Sequence, residues 1–382
     1  MLSKSINLKS FKISKNKRKI QTKLKILLNE KNQLIKSLSK NYKDNFDFKK
    51  IKKKKNFRLI GMGGSILGSQ AIYNFLKNKI KKNFLFFNNL NSFQKINKKE
   101  KFTNLIISKS GNTLETISNA NILINKKDEN IFITENKPSY LFNLASKLKS
   151  EVVHHNNFIG GRYSVLSEVG MLPAKLMGLN PKKFRQFDNL IKDRKFLNLL
   201  IHNTGGILFF AKNKKFNSII INYDEKSDFF FQWYQQLVAE SLGKKGKGIL
   251  PIISTMPKDN HSVMQLYLDG FKNNFYTFFS CKEKISNRLD KKNFLLSHKY
   301  LGKYTLNEII LRQKKATENV FSKKNIPFRS FEVKKRNEKT LGELFCYFIF
   351  ETIILGRALN INPFDQPSVE LIKTETKKQF KV

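Results

Sequence analysis

Cysteine is almost missing from this chain. Cys281 and Cys346 are the only two in 382 residues, so a disulfide framework is excluded, and neither sits in a C-x-x-C or H-x-x-x-H spacing that would hold zinc. Proline is sparse, with 8 residues, and there is no Pro-rich linker or short-period repeat to mark a tandem array. No apolar run approaches the ~20 residues that cross a bilayer. The longest, Leu344 to Gly356, is interrupted by Glu351 and reads as a buried core helix. The N-terminal MLSKSINLKSFKISKNKRKI lacks the apolar stretch of about 7 to 15 residues that a secretory signal carries. These absences predict a reduced, cytoplasmic chain without metal or membrane anchor.

Acidic residues are also scarce: 29 Asp and Glu stand against 73 Lys and Arg, a formal net charge of +44. Such a balance ordinarily points to nucleic acid or an anionic surface. Here the lysines are interleaved with Asn, Ile and Phe in every segment and gathered on no motif, so the charge reads as compositional bias, and no specific nucleic-acid partner is expected. It would still steer a small anionic ligand towards a cleft, with a strong dependence on ionic strength.

The length exceeds the roughly 100 to 200 residues of one domain, so two cores are expected. Residues 1–55 are polar and helix-prone, with Leu24, Leu27, Leu28, Leu34 and Leu38 spaced for one apolar stripe, an N-terminal helical cap. From there, short apolar strands alternate with helical passages. Phe57 to Ile60, Phe84 to Phe87, Leu105 to Ile107 and Asn130 to Thr134 are the first set; Gly206 to Ala211, Ser218 to Asn222 and Ile249 to Ser254 are the second, with a helix over 229–242. Alternation of this kind predicts an α/β chain with parallel sheets covered on both faces. The expected division is a cap over 1–55, α/β units over 56–200 and 201–355, and a C-terminal arm over 356–382. Lys52 to Lys55 reads as a solvated loop.

Two turns follow strands and open helices. Gly61-Met62-Gly63-Gly64-Ser65 lets backbone N–H groups approach an anion, with the positive end of a helix behind them. It lacks both the G-x-G-x-x-G spacing of a dinucleotide site and the G-K-[ST] ending of a P-loop, and by itself it fits a plain tight turn equally well. Ser108-Lys109-Ser110-Gly111-Asn112-Thr113 places three hydroxyls at a helix start, more than one cap requires. At the ends of adjacent parallel strands, the two turns would converge in the crevice where open α/β sheets bind ligands.

GMGGSILG followed by SKSGNTLET resembles the sugar isomerase domain family. Three further passages narrow the resemblance to the glucose-6-phosphate isomerases: Gly160 to Ser167 (GGRYSVLS) and Ile361 to Glu370 (INPFDQPSVE) are similar to two signatures of that family, and QLVAESLGK and NHSVMQ lie between them. The motifs span about residues 57 to 375 in the family's order. The resemblance implies two tandem sugar-isomerase-type α/β domains and reversible interconversion of glucose 6-phosphate and fructose 6-phosphate through an enediolate, without cofactor. It assigns the substrate phosphate to Ser65, Ser108, Lys109, Ser110 and Thr113, the proton-transferring base to Glu240, enediolate stabilisation to Arg162 and sugar positioning to Gln236. His261 and Lys373 would serve ring opening, Glu115 would orient His261, and Gln366 would lie near the site. It also implies a homodimer in which His261 enters the neighbouring subunit's site. An isomerase that also takes mannose 6-phosphate and a non-catalytic phosphosugar sensor are the competing readings.

Other residues stand outside this set. His154, His155 and His202 read as structural or exposed, Trp233 and Phe229 to Phe231 as core, and Lys244, Lys245 and Lys247 as a solvated loop.

Overall fold

Apolar runs rich in Ile, Phe and Leu form two five-stranded sheets in the computed structural model, which describes residues 2–13, 15–46, 53–92, 100–125 and 128–380. The strands are β1 (Ile6–Lys9), β2 (Asn56–Gly61), β3 (Asn83–Phe87), β4 (Thr103–Ile107), β5 (Glu129–Thr134), β6 (Glu151–His154), β7 (Asn217–Asn222), β8 (Leu250–Thr255), β9 (Asn274–Cys281) and β10 (Phe328–Val333). The first sheet has the order β3-β2-β4-β5-β6 and is wholly parallel. The second has the order β1-β10-β9-β7-β8, parallel except for β1 at its edge. Buried parallel strands flanked by helices are the α/β arrangement expected.

The N-terminal region is not purely a helical cap. β1 lies antiparallel on β10, with Ile6 opposite Val333, because Ile6 and Leu8 alternate with Asn7 and Lys9 and bury one face along the sheet edge. The expected helices follow over Lys17–Asn29 and Gln33–Ser37, and Leu24, Leu27, Leu34 and Leu38 are buried. Of the Lys52 to Lys55 run, Lys52 lies outside the described residues and the rest is exposed.

The expected strand over Gly206 to Ala211 is instead part of a helix over Arg194–Lys212. Asp193 caps its start by accepting from the Lys195 and Phe196 amides, and Phe196, Leu200, Ile207 and Phe210 are buried along it. Gly206 does not break this helix, because the N-terminal segment packs there: a Cβ would stand 3.0 Å from the Ile13 carbonyl. Residue 200 therefore falls inside this helix and residue 355 inside the helix Glu338–Ala358.

The helix Glu338–Ala358 is almost wholly buried. Glu351, which interrupts its apolar run, accepts two bonds from the Arg329 guanidinium of β10 at 2.5 and 2.8 Å, so the charge is paired where desolvation would otherwise expel it. The helix Asp228–Leu242 packs on this helix, on β8 and on the helix Leu67–Phe75 that follows β2. It thereby joins the two sheets. Trp233, Phe230 and Phe231 are core, as expected. Among the described residues, no helix is long and apolar enough to cross a membrane.

Candidate active site

The site forms where the two α/β units meet. β2 pairs with β4, Gly61 opposite Ile107, so the two turns after these strands emerge side by side. The first is a single 3-10 turn, Gly63–Ser65, with Gly63 at φ +51°. A Cβ on Gly64 would stand 2.2 Å from the Gly161 carbonyl carbon, and one on Gly63 would stand 2.8 Å from Gln236 Nε2. The glycines thus let the turn rest directly on the Gly160 to Ser167 passage and on the helix Asp228–Leu242.

In the second turn the Ser108 and Thr113 hydroxyls lie 2.8 Å apart. Thr113 occupies the cap position of the helix Leu114–Leu123 without bonding its amides, which leaves the first-turn N–H groups available to an anion. Ser110 is exposed, and its hydroxyl accepts from the Asn112 amide at 3.2 Å. Gly111, at φ +68°, packs where a Cβ would stand 2.1 Å from Ser139 Oγ. Lys109 turns away to donate to the Asn157 carbonyl at 2.8 Å, with Glu135 at 3.6 Å, and burial lowers its pKa.

Arg162 is the hub. It is buried in the 3-10 turn Gly161–Leu166, and each of its five N–H groups has an acceptor. Nε donates to Ser241 Oγ at 2.8 Å. Nη2 donates to the carbonyls of Pro363 at 2.8 Å and Asp365 at 3.1 Å. Nη1 donates to Glu240 Oε1 at 3.0 Å and Gln366 Oε1 at 2.6 Å. The other Glu240 oxygen accepts from Gln236 Nε2 at 3.0 Å, as their four-residue spacing on one helix face allows. Glu240 remains 20% exposed. A carboxylate open to solvent, a cation beside it and hydroxyl-rich turns at adjacent strand ends are the groups needed to bind a phosphate and move a proton next to a carbonyl.

Thus Arg162, Gln236, Glu240 and Gln366 converge, with Ser65, Ser108 and Thr113 on the neighbouring turns. Three expected residues stand apart. His261, in the 3-10 turn Lys258–His261, is exposed. Lys373 pairs with Glu370 at 2.6 Å on the helix Pro367–Gln379, which buries none of its residues. Glu115 is partly exposed, and among the described residues no hydrogen bond or ion pair joins it to His261.

Sequence reasoning missed several supports. Tyr163 donates to the Pro363 carbonyl at 2.9 Å, and Trp233 Nε1 donates to the Arg162 carbonyl at 3.1 Å. Ser241 follows Glu240 directly, yet only the fold shows that it receives Arg162. Lys244 and Lys247 are not a free solvated pair: Lys244 Nζ donates to the Asn362 carbonyl and Asp365, and Lys247 Nζ to the Leu359 carbonyl. His155 is buried, while His154 accepts from the Asn136 amide and His202 Nε2 bonds the Phe11 carbonyl.

A model of the phosphoglucose isomerase family matches residues 13–381. The glucose-6-phosphate isomerase of Methanocaldococcus jannaschii is 34% identical over 357 residues, covering 86% of this chain and 85% of that protein. That of Campylobacter jejuni is 32% identical over 347 residues, covering 84% of each. In fold, a crystal structure of a hypothetical protein from Thermus thermophilus agrees with a TM-score of 0.81 at 20% identity, over 94% of both chains. The chain belongs to the phosphoglucose isomerase family.

Proposed function

We propose that this chain interconverts D-glucose 6-phosphate and D-fructose 6-phosphate by opening the ring and moving a proton between C1 and C2 through a cis-enediolate. The observation that carries this reading is the Glu240 carboxylate held between Arg162 and Gln236, each at 3.0 Å, beside the two hydroxyl-rich turns.

The phosphate sits on Ser65, Ser108, Ser110 and Thr113 and on the backbone at Lys109. Ser108 and Thr113 share one hydrogen bond, so one of their two hydroxyl hydrogens is left to donate to the anion. Glu240 takes the proton from carbon and returns it to the neighbouring carbon. As negative charge grows on the substrate oxygens, Arg162 answers it through Nη1. Its Nε and Nη2 are committed to Ser241 and to the carbonyls of Pro363 and Asp365, whereas the Nη1 acceptors are the site side chains Glu240 and Gln366. A guanidinium anchored on two edges is already oriented when charge develops, which is where electrostatic catalysis gains most. Gln236 positions the sugar.

His261 and Lys373 open the ring, with Glu115 orienting His261 across a homodimer. His261 is exposed and the Pro367–Gln379 helix buries none of its residues, which supports this assembly because both are open to a second copy. The cytoplasm is the proposed location, and the proposed α/β units run over about 56–200 and 201–355, the second completed at its sheet edge by β1.

The test is conversion of fructose 6-phosphate to glucose 6-phosphate by purified protein in EDTA, with mannose 6-phosphate as competitor. A general base contributes about 10² to 10⁴ in rate, so Glu240→Gln should lose that factor in kcat while remaining folded. Equal turnover of mannose 6-phosphate would widen the specificity, and phosphosugar binding without turnover would make the chain a sensor. Mixing Glu240→Gln with His261→Ala subunits should restore turnover; none under proven subunit exchange would remove His261 from the neighbour's site.

A further inference from the structure

The turn after the helix Asp228–Leu242 is built to hold still. Lys244 and Lys247 exchange backbone bonds at 3.0 and 2.9 Å, and the two residues between them, Lys245 and Gly246, both have positive φ, 52° and 67°. That is the two-residue geometry which suits a tight hairpin. It presents Lys244, four residues beyond Glu240, with a side chain only 11% exposed. The ammonium donates to the Asn362 carbonyl at 2.5 Å and to Asp365 Oδ1 at 2.7 Å.

The segment that receives it is the one that holds Arg162. Asp365 Oδ2 accepts from Asn362 Nδ2 at 3.0 Å, and Asn362 Oδ1 accepts from the Phe364 amide at 3.0 Å, so residues 362–365 form a closed polar turn. The same turn gives Arg162 the carbonyls of Pro363 and Asp365, and Gln366 follows immediately. Lys247 adds a second tether at the Leu359 carbonyl, 3.0 Å.

We propose that Lys244 is a positioning residue for the isomerisation: by clamping the 362–366 turn to the end of the Glu240 helix, it keeps Gln366 and the Arg162 guanidinium in register with the Glu240 carboxylate. The inference rests on the reading of Glu240 and Arg162 given above. Lys244 directs its ammonium to two acceptors on the arm, so its effect falls on the chemical step and not on phosphate binding. Asp365 answers it electrostatically, its carboxyl held below the usual carboxylate range first by the bond from Lys244.

The experiment compares wild type, Lys244→Met, Lys244→Arg and Asp365→Asn in the conversion of fructose 6-phosphate, with thermal melting of each. A misplacement of about 1 Å can cost roughly 10²-fold, so Lys244→Met should lower kcat by about tenfold to a hundredfold. KM should stay within about twofold, the pattern of an interaction realised in the chemical step. Lys244→Arg, which reaches the same acceptors, should recover most of the rate. Asp365→Asn, at an exposed site where folding is not at stake, should lower kcat in the same direction. Unchanged kcat in both Lys244→Met and Asp365→Asn would overturn the inference, and so would a raised KM with intact kcat, which makes Lys244 a substrate ligand. An inactive wild type would instead overturn the isomerase reading itself.

Discussion

Arg162 and Glu240 stand 78 residues apart in the chain and meet at 3.0 Å, the guanidinium buried and the carboxylate at the rim. Neither position is local in origin. Arg162 is fixed by the 3-10 turn that packs under Gly64 of the first unit, and Glu240 rides on the helix that follows β7 of the second. Their contact therefore couples the docking of the two units to the alignment of base and cation.

Replacing Arg162 by lysine keeps the charge and loses the fork. Lysine's three donors cannot serve Ser241, Pro363, Asp365, Gln366 and Glu240 together, and buried acceptors left without partners cost about 1 to 3 kcal/mol. Arg162→Lys should be destabilised by that order in urea unfolding and should lose about 10² to 10³ in kcat, as removal of a preorganised donor does. Near-normal kcat would show that Nη1 does not meet the developing charge.

Parts of this arrangement were legible in the sequence because punctuation surrounds them. The Gly-rich and Ser-rich turns follow β2 and β4 directly, and the motif residues Arg162, Gln236, Glu240 and Gln366 lie in hydrogen-bond contact with one another. Other parts carried no local signal. β9 and β10 are buried on both faces, so they show no alternation to read. The run at 206–211 suits strand and helix equally, and the packing of the segment around Phe11 and Ile13 against Gly206 decides for helix. β1 pairs with a strand more than 300 residues away, beyond any window. The role of Lys244 was hidden for the same reason: its partners lie 118 and 121 residues on, in a chain where lysine is the commonest surface residue.

Acid stability should depend on His155. The imidazole is buried, its Nδ1 bonded to the Asn156 carbonyl at 3.0 Å and its Nε2 without a partner. Burial pushes its pKa down to about 4, whereas the unfolded chain titrates it near 6.5. Between those values the unfolded state binds a proton that the folded state refuses, so stability falls as pH drops through about 6.5 towards 4 and is unaffected above that window. Urea unfolding at pH 7.5 and 4.5 should show wild type losing about 2 kcal/mol more than His155→Gln over that interval, from the shift and its linkage. Parallel losses in the two proteins would show that His155 takes no part.

The contact between the first turn and the Arg162 passage should tolerate no side chain at Gly64. A Cβ there runs into one peptide unit, the amide joining Gly161 to Arg162, with the Gly161 carbonyl carbon at 2.2 Å, its oxygen at 2.4 Å and the Arg162 nitrogen at 2.5 Å. Backbone cannot rotate aside as a side chain can, so Gly64→Ala must push Arg162 away from Glu240 or part the turn from the helix Asp228–Leu242. Gly160, three residues before Tyr163, is the control: its Cβ would meet nothing closer than Tyr163 Cδ2 at 3.7 Å. Overpacking of a tight contact costs about 1 to 3 kcal/mol, and a shift of about 1 Å in the reacting groups costs roughly 10²-fold in rate. Gly64→Ala should show both losses in melting and in fructose 6-phosphate turnover, while Gly160→Ala keeps its kcat within about twofold, as a change that meets no close contact does. If the two variants behave alike, the close seating of this turn on the Arg162 backbone is not what aligns the site.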